Sequence, residues 1–175
     1  MTMTTDNRMK YGELEVVNIR LVKEATLLSE TPIDSPNAAV ELSSKFLSEF
    51  DREVVCVLNL NAEGKPLNLN IVSIGTFNTA VISSKDVMKS SILSNATAFI
   101  VLHCHPTGNP RPSRADLLTT EKLRDAGALL DIPMLDHIVV ACGSGKKYSF
   151  LENGLMQRPN LVKEYDDYSA VEKER

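Results

Sequence analysis

The sequence predicts an α/β fold, with a mixed sheet layered between helices. Three observations predict this class. Short β-prone apolar runs alternate with segments that carry helix N-caps. Two of these runs flank a turn sequence and indicate a β-hairpin. A further run, Thr97–Leu102, has no polar/apolar alternation after its first residue, which is typical of a strand buried on both faces.

The first half of the chain is predicted to contain a strand, a helix and the hairpin. β-branched residues with some alternation indicate the strand. Ser35 before Pro36 is an N-cap followed by proline at the first helical position. Apolar residues at steps of three and four continue this helix. The bounds are Glu13–Leu21 for the strand, Pro36 to about Phe50 for the helix, and Glu53–Leu60 and Leu67–Ile74 for the hairpin.

The second half is predicted to contain two helices and three strands. A serine N-cap begins each helix. In the second helix, steps of three and four place Asp116, Thr119, Leu123, Ala126 and Leu130 on one buried face. The strands are apolar runs, and a Gly-Ser-Gly turn separates the last two. The helices run from Ser83 or Ser84 to about Asn95 and from Ser113 to about Leu130, and the strands are Thr97–Leu102, Met134–Cys142 and Lys147–Leu151.

Composition excludes several classes of function. A length of 175 residues suffices for one domain with a core. The net charge of −4 and the pI of about 5.4 give no electrostatic footprint for nucleic acid, so direct nucleic-acid binding is not expected. No apolar run is long enough to span a membrane, and the first residues lack the apolar core of a signal peptide. Three cysteines without a CxxC pair predict a cytoplasmic location and no disulfide framework.

The candidate chemistry lies in one stretch, His103–Asp116, which reads HCHPTGNPRPSRAD. His103 and His105 stand two residues apart at the end of an apolar run, so extended backbone points both imidazoles to one side. Asp116 lies at the N-terminal end of the buried face of the next helix, where a carboxylate needs a partner. Two histidines and one carboxylate are the ligands of many catalytic zinc sites, with water in the fourth position.

The same residues also have structural interpretations. Ser113-Arg-Ala-Asp116 matches a capping box, in which the serine and the acid only satisfy a helix terminus. Ser113 can act as this cap, as a hydrogen-bond donor to an oxyanion, or as both. His137 precedes an apolar strand and is interpreted as structural, or as a residue behind the ligands. Cys104 is interpreted as a bystander.

His103, His105, Ser113 and Asp116 resemble the JAMM signature of the JAB/MPN metalloprotease family, and in particular its RadC-like bacterial branch. The signature is His-x-His, seven residues, Ser, two residues and Asp, and the chain matches it at every spacing. The resemblance covers about residues 35–156. It leaves 1–34 as an N-terminal segment with the candidate first strand, and 157–175 as a charged tail.

The resemblance implies a fold and a division of roles. The fold would be the JAB/MPN architecture, which is similar to that of cytidine deaminases. His103, His105 and Asp116 would bind one zinc ion per chain. Glu53, at the start of the hairpin, would be the general base, and Ser113 would stabilise the oxyanion. The reaction would be hydrolysis of an amide bond in a peptide or a protein-conjugate substrate.

Other classes of function stay open beside this one. The RadC name suggests a DNA repair or recombination accessory without peptidase activity, and some MPN proteins are inactive scaffolds, although these typically lack the metal ligands. The helix-hairpin-helix region of full-length RadC proteins is not expected in the thirty or so residues before the match. The branch usually has Asn and Ser where this chain has Cys104 and Thr107, neither of which is a metal ligand. A zinc deaminase needs His-x-Glu and a later Pro-Cys-x-x-Cys, which this sequence lacks.

Overall fold

A computed structural model describes residues 21–22, 31–76, 82–142 and 144–156. Within these ranges the chain forms an open mixed sheet of five strands with three helices, which confirms the predicted α/β class. The helices are α1 (Pro36–Leu47), α2 (Ser84–Leu93) and α3 (Arg114–Leu129). The strands are β1 (Val54–Leu60), β2 (Pro66–Ile74), β3 (Ala98–His105), β4 (Met134–Ala141) and β5 (Lys147–Ser149).

The strand order in the sheet is β2-β1-β3-β4-β5. The hairpin of β1 and β2 is antiparallel, as predicted, and β1 also pairs antiparallel with β3. The parallel pair of β3 and β4 needs a crossover connection, which α3 provides. This order makes β3 the central strand, and every one of its residues after Ala98 is buried.

Apolar side chains cover both faces of the sheet. One cluster packs between the sheet and α1 and includes Leu47, Leu102 and Ile138. The other packs beneath α2 and α3 and includes Phe99 and Leu123. Because side chains alternate along a strand, the residues of β3 are divided between these two layers.

Two bounds differ from the prediction by three residues, whereas the others in the described ranges lie within two. β3 continues to His105, so the two histidines belong to the strand rather than to the following loop. The reason is that β1 and β4 both keep pairing with this segment: His103 is opposite Val55, and His105 is opposite Ala141. Helix α1 ends at Leu47, before Phe50, because the backbone N–H groups of Glu49 and Phe50 donate three residues back, to Phe46 and Leu47, instead of four.

The buried face of α3 also differs from the predicted one. It follows Asp116, Thr120, Leu123 and Gly127, whereas Leu130 is exposed. Gly127 explains this phase, because a Cβ at this position would lie 2.5 Å from the carbonyl oxygen of Ile132. The helix therefore turns its smallest residue toward the sheet at its C-terminal end, and its acidic residue toward the sheet at its N-terminal end.

Two of the predicted segments lie outside the described residues. The candidate strand Glu13–Leu21 does so except for Leu21, and the charged tail at 157–175 does so entirely. Among the helices of the described ranges, none combines the length and the apolar character needed to cross a membrane.

Candidate metal centre

The structure brings the predicted residues together where β3 ends and α3 begins. His103 and His105 point to the face of the sheet that α2 and α3 cover. Val55 on β1 is the ladder partner of His103, so Glu53, two residues before Val55, lies on the same face. Asp116 enters from the first turn of α3. The two histidines and the two carboxylates are all buried.

His103 lies between the two carboxylates. Its Nε2 contacts Oε2 of Glu53, and its Nδ1 lies 3.1 Å from Oδ1 of Asp116. The alignment at Nδ1 is that of an ion pair rather than of a hydrogen bond, so this buried nitrogen has no hydrogen-bond partner. Each ring nitrogen of His103 therefore faces one of the two carboxylates.

His105 is oriented by the loop that follows it. Its Nδ1 lies 3.0 Å from the carbonyl oxygen of Asn109. A carbonyl can only accept, so Nδ1 carries a hydrogen, and in the neutral ring Nε2 is left with a lone pair. A backbone carbonyl on the second ring nitrogen is a common way to fix a metal-binding imidazole. The free Nε2 lies 3.8 Å from Oε2 of Glu53 and 3.9 Å from Oδ2 of Asp116.

Ser113 and Asp116 form the capping box that the sequence allowed. The backbone N and the Oγ of Ser113 donate to Oδ2 of Asp116 at 2.7 and 2.6 Å. In return, the backbone N of Asp116 donates to Oγ of Ser113 at 3.2 Å. These bonds fix the Asp116 carboxylate with Oδ1 toward His103. Ser113 is therefore the helix cap, and its role toward an oxyanion stays a prediction.

The donor set fits a zinc ion. Ligand atoms of Glu53, His103 and His105 all lie within 4.8 Å of one another. Two atoms that share a zinc ion at about 2.0–2.2 Å each can be at most about 4.4 Å apart, and both separations from His105 Nε2, 3.8 and 3.9 Å, meet this limit. Glu53 completes this group, whereas the sequence predicted Asp116 as the third ligand. The Asp116 carboxylate lies beside this group, at Nδ1 of His103 and 3.9 Å from Nε2 of His105, but is not part of it.

Electrostatics make the cluster a buried ion pair when no metal is bound. Burial disfavours a charged imidazole, but the contacts with Asp116 and Glu53, and their negative charges, outweigh it and raise the pKa of His103 to about 9. Burial also opposes ionisation of Asp116, but the contact with His103 and the hydrogen bonds from Ser113 hold the pKa of this carboxyl well below its usual range. Zinc binds deprotonated ligands, so at neutral pH it must displace the proton on His103.

This proton gives the stability a predictable pH dependence. Folding raises the pKa of His103 from 6.5 to about 9, so the stabilisation is complete below pH 6.5 and is lost as the pH rises through about 9. The free energy of unfolding of chelator-treated protein is expected to fall by roughly 3 kcal/mol over this range. Urea unfolding at a series of pH values measures it.

The stabilisation of the fold by bound zinc should instead increase with pH, because the His103 proton becomes easier to remove. His103→Gln is the control, and this variant should lose most of the slope. A stability of the metal-free wild type that is flat or rises between pH 6.5 and 9 would contradict the assigned ion pair.

Two residues near the site were not assigned from the sequence. Asn109 contributes its backbone carbonyl, for which a side-chain motif carries no signal. The Oγ1 atom of Thr120 lies 2.7 Å from the carbonyl oxygen of Asp116 and 2.7 Å from Nδ1 of His137. The sequence could have indicated Thr120, because it lies four residues after Asp116 and residues four apart share a helix face. His137 is completely buried, and burial together with the charge on His103 lowers its pKa to about 3.

Cys104 and Cys142 are joined by a disulfide, so the prediction that the cysteines form none was wrong. The register of β3 and β4 explains the pairing. Cys104 is opposite Val140, and Cys142 follows Val140 by two residues, so both thiols point to the α1 face. Their Cα atoms are 5.8 Å apart, which a disulfide can span. The third cysteine, Cys56, is free and buried.

The protein is thus an α/β domain with a candidate metal site. Two imidazoles at the end of the central strand lie beside two buried carboxylates and a capped helix. The chain belongs to the RadC-like JAB domain family, whose model matches residues 33–155. This match confirms the resemblance and the JAB/MPN class of the fold.

Relatives from several organisms have UPF0758 names. The chain is 40% identical to the protein of Chlorobium chlorochromatii over 116 residues, which cover 66% of the chain and 51% of that protein. It is 36% identical to the protein of Shouchella clausii over 135 residues, 77% of the chain and 58% of that protein. It is 31% identical to a protein of Methanosarcina acetivorans over 153 residues, which cover 83% of the chain and 66% of that protein. The chain thus spans about half to two thirds of the length of these relatives.

Proposed function

We propose that the chain is a zinc-dependent hydrolase of the JAMM type, which cleaves a peptide or isopeptide amide bond with zinc-activated water. The observation that carries this proposal is the arrangement around His105. Its Nδ1 is bound to the carbonyl of Asn109, and its Nε2 lies within 4 Å of two carboxylates. A histidine used only for packing does not need this arrangement, whereas a metal-binding imidazole does.

The proposal assigns a role to each polar residue of the cluster. His103, His105 and Asp116 would hold the zinc ion. When bound, zinc lowers the pKa of its water to about 7 and so supplies a hydroxide nucleophile at neutral pH. Glu53, buried beside both histidines, would accept the proton of that water and deliver it to the leaving amine.

Ser113 would donate a hydrogen bond to the developing oxyanion. In the structure its hydroxyl donates to Asp116, so it would have to rotate toward the substrate. Its exposure at the surface supports such a movement. The backbone N of Ser113 would keep its hydrogen bond to Asp116 and hold the helix cap in place.

The test is hydrolysis by the zinc-loaded chain of a panel of quenched fluorescent peptides and lysine-linked isopeptide conjugates. We expect at least one substrate to be cut at an amide bond, with loss of activity after chelation and recovery when zinc is added back. Mass spectrometry should show two products whose masses add up to that of the substrate plus one water. Protein with bound zinc that cuts no member of the panel, or activity that survives removal of the zinc, would contradict the proposal.

A cytoplasmic setting is also part of the proposal. Thiol reductants of that compartment keep most cysteines reduced. The pairing of Cys104 with Cys142 would there depend on how accessible the disulfide is, and Cys104 is fully buried. The disulfide lies on the α1 face, opposite the face of the site, so the assigned roles do not require it.

A further inference from the structure

Behind the candidate site, one hydroxyl joins helix α3 to strand β4. The Oγ1 atom of Thr120 lies 2.7 Å from the carbonyl oxygen of Asp116 and 2.7 Å from Nδ1 of His137. All three residues are buried. The contact therefore runs from the backbone of a predicted ligand to a histidine on the neighbouring strand.

The hydrogen positions in this contact follow from what each atom can do. A hydroxyl has one hydrogen, and a carbonyl can only accept, so Thr120 donates to Asp116 and must accept from His137. His137 consequently carries its hydrogen on Nδ1. Its Nε2 is buried without a hydrogen-bond partner, and a second, charged N–H there would be costly. The ring is therefore a neutral Nδ1–H tautomer.

The ring of His137 also stacks on an aromatic neighbour. Phe150 stacks on it at a centroid distance of 4.8 Å with 9° between the planes, and the backbone N of Phe150 donates to the His137 carbonyl at 3.0 Å. The ring of His103 is nearly parallel to that of His137, with 6.0 Å between the two centroids. His137 thus has contacts with the strand that carries the histidines and, through Thr120, with the helix that carries Asp116.

We propose that Thr120 and His137 are positioning residues, which hold the first turn of α3 against the sheet so that Asp116 faces His103 and His105. Two of the predicted ligands are on β3 and one is on α3, so their mutual distances depend on how the helix is docked. A directional hydrogen bond fixes this docking more narrowly than apolar packing does. The inference rests on the zinc site of the proposed function, but it does not depend on whether the site hydrolyses amides.

The test compares four forms of the full chain: wild type, Thr120→Val, Thr120→Ser and Thr119→Val. Valine keeps the shape of threonine and removes the hydroxyl, whereas serine keeps the hydroxyl. Thr119→Val makes the same chemical change one position away, outside the buried face of α3, and is the matched control. Zinc affinity is measured by competition with a chromophoric chelator, and site geometry by the visible absorption of bound Co²⁺.

We expect Thr120→Val to bind zinc about 10–100-fold more weakly, the range found when groups that orient metal ligands are removed, and to have an altered Co²⁺ spectrum. Thr120→Ser and Thr119→Val should both resemble wild type. A purely structural role would lower stability in the valine variant and leave the spectrum of its folded fraction unchanged. Wild-type affinity and spectrum in folded Thr120→Val would overturn the inference. Failure of the wild type to bind either metal would instead remove the proposed function.

A second measurement needs no variant. The ¹⁵N chemical shifts of the His137 ring report which nitrogen carries the hydrogen. The inference requires the Nδ1–H tautomer over the whole neutral pH range. A ring with its hydrogen on Nε2 would overturn it, because Thr120 could not then bond both partners.

Discussion

Glu53→Gln is expected to retain zinc and to lose about 100–10,000-fold in the rate of amide hydrolysis, the usual contribution of a general base. Glutamine keeps the size of the side chain and its contact with His103, but it cannot take up the proton of the water. The measurements are zinc content and turnover on the same preparation. Unchanged turnover would remove Glu53 from the mechanism.

The matched variant is Asp116→Asn, which makes the same change from carboxylate to amide on the other side of His103. This variant should lose zinc as well as activity, because Asp116 is assigned as a ligand. The comparison is decisive because the structure groups Glu53, rather than Asp116, with the two histidines. If Glu53→Gln loses zinc and Asp116→Asn retains it, Glu53 is the ligand and Asp116 is the candidate general base.

His105→Ala is expected to weaken zinc binding by more than about 100-fold, since changes to groups behind the ligands alone already cost about 10–100-fold. The variant removes the Nε2 atom that lies within 4 Å of both carboxylates. Competition with a chromophoric chelator gives the affinity, and circular dichroism checks that the variant is folded. Added imidazole should recover part of the binding, because it can occupy the vacated position.

Thr107→Ala is the control for this variant. Thr107 lies two residues beyond His105, in the loop after β3, and is exposed, so its truncation should leave zinc affinity unchanged. If His105→Ala binds zinc as tightly as Thr107→Ala does, His105 is not a ligand.

Much of the fold could be predicted because local sequence and tertiary structure agree. Ser35 with Pro36 and Ser113 with Asp116 cap helices where their side chains suggested, and the hairpin turns within residues 61–65. The extent of β3 could not be predicted from local sequence. Local sequence places its last residues, His103 and His105, at the start of a loop that runs to Pro112, and only pairing with two neighbouring strands keeps them extended.

The candidate site also has one part that local sequence predicts and another that it does not. The spacing of His103, His105 and Asp116 is local, so the sequence could suggest a site. The contact of Glu53 with His103 spans 50 positions and followed only from the family resemblance. The disulfide of Cys104 spans 38 positions and depends on the register of two parallel strands. The spacing of the two cysteines in the sequence does not show that these strands are neighbours, so it could not predict the pairing.

The zinc content of the wild type and of His103→Ala, measured side by side by elemental analysis after purification without added metal and again after zinc is offered, tests the assignment of a metal centre most directly. We predict about one zinc ion per wild-type chain, as in catalytic sites with three protein ligands, and its loss in the variant. Absence of zinc from both proteins even after zinc is offered, or equal zinc in both, would contradict the assignment.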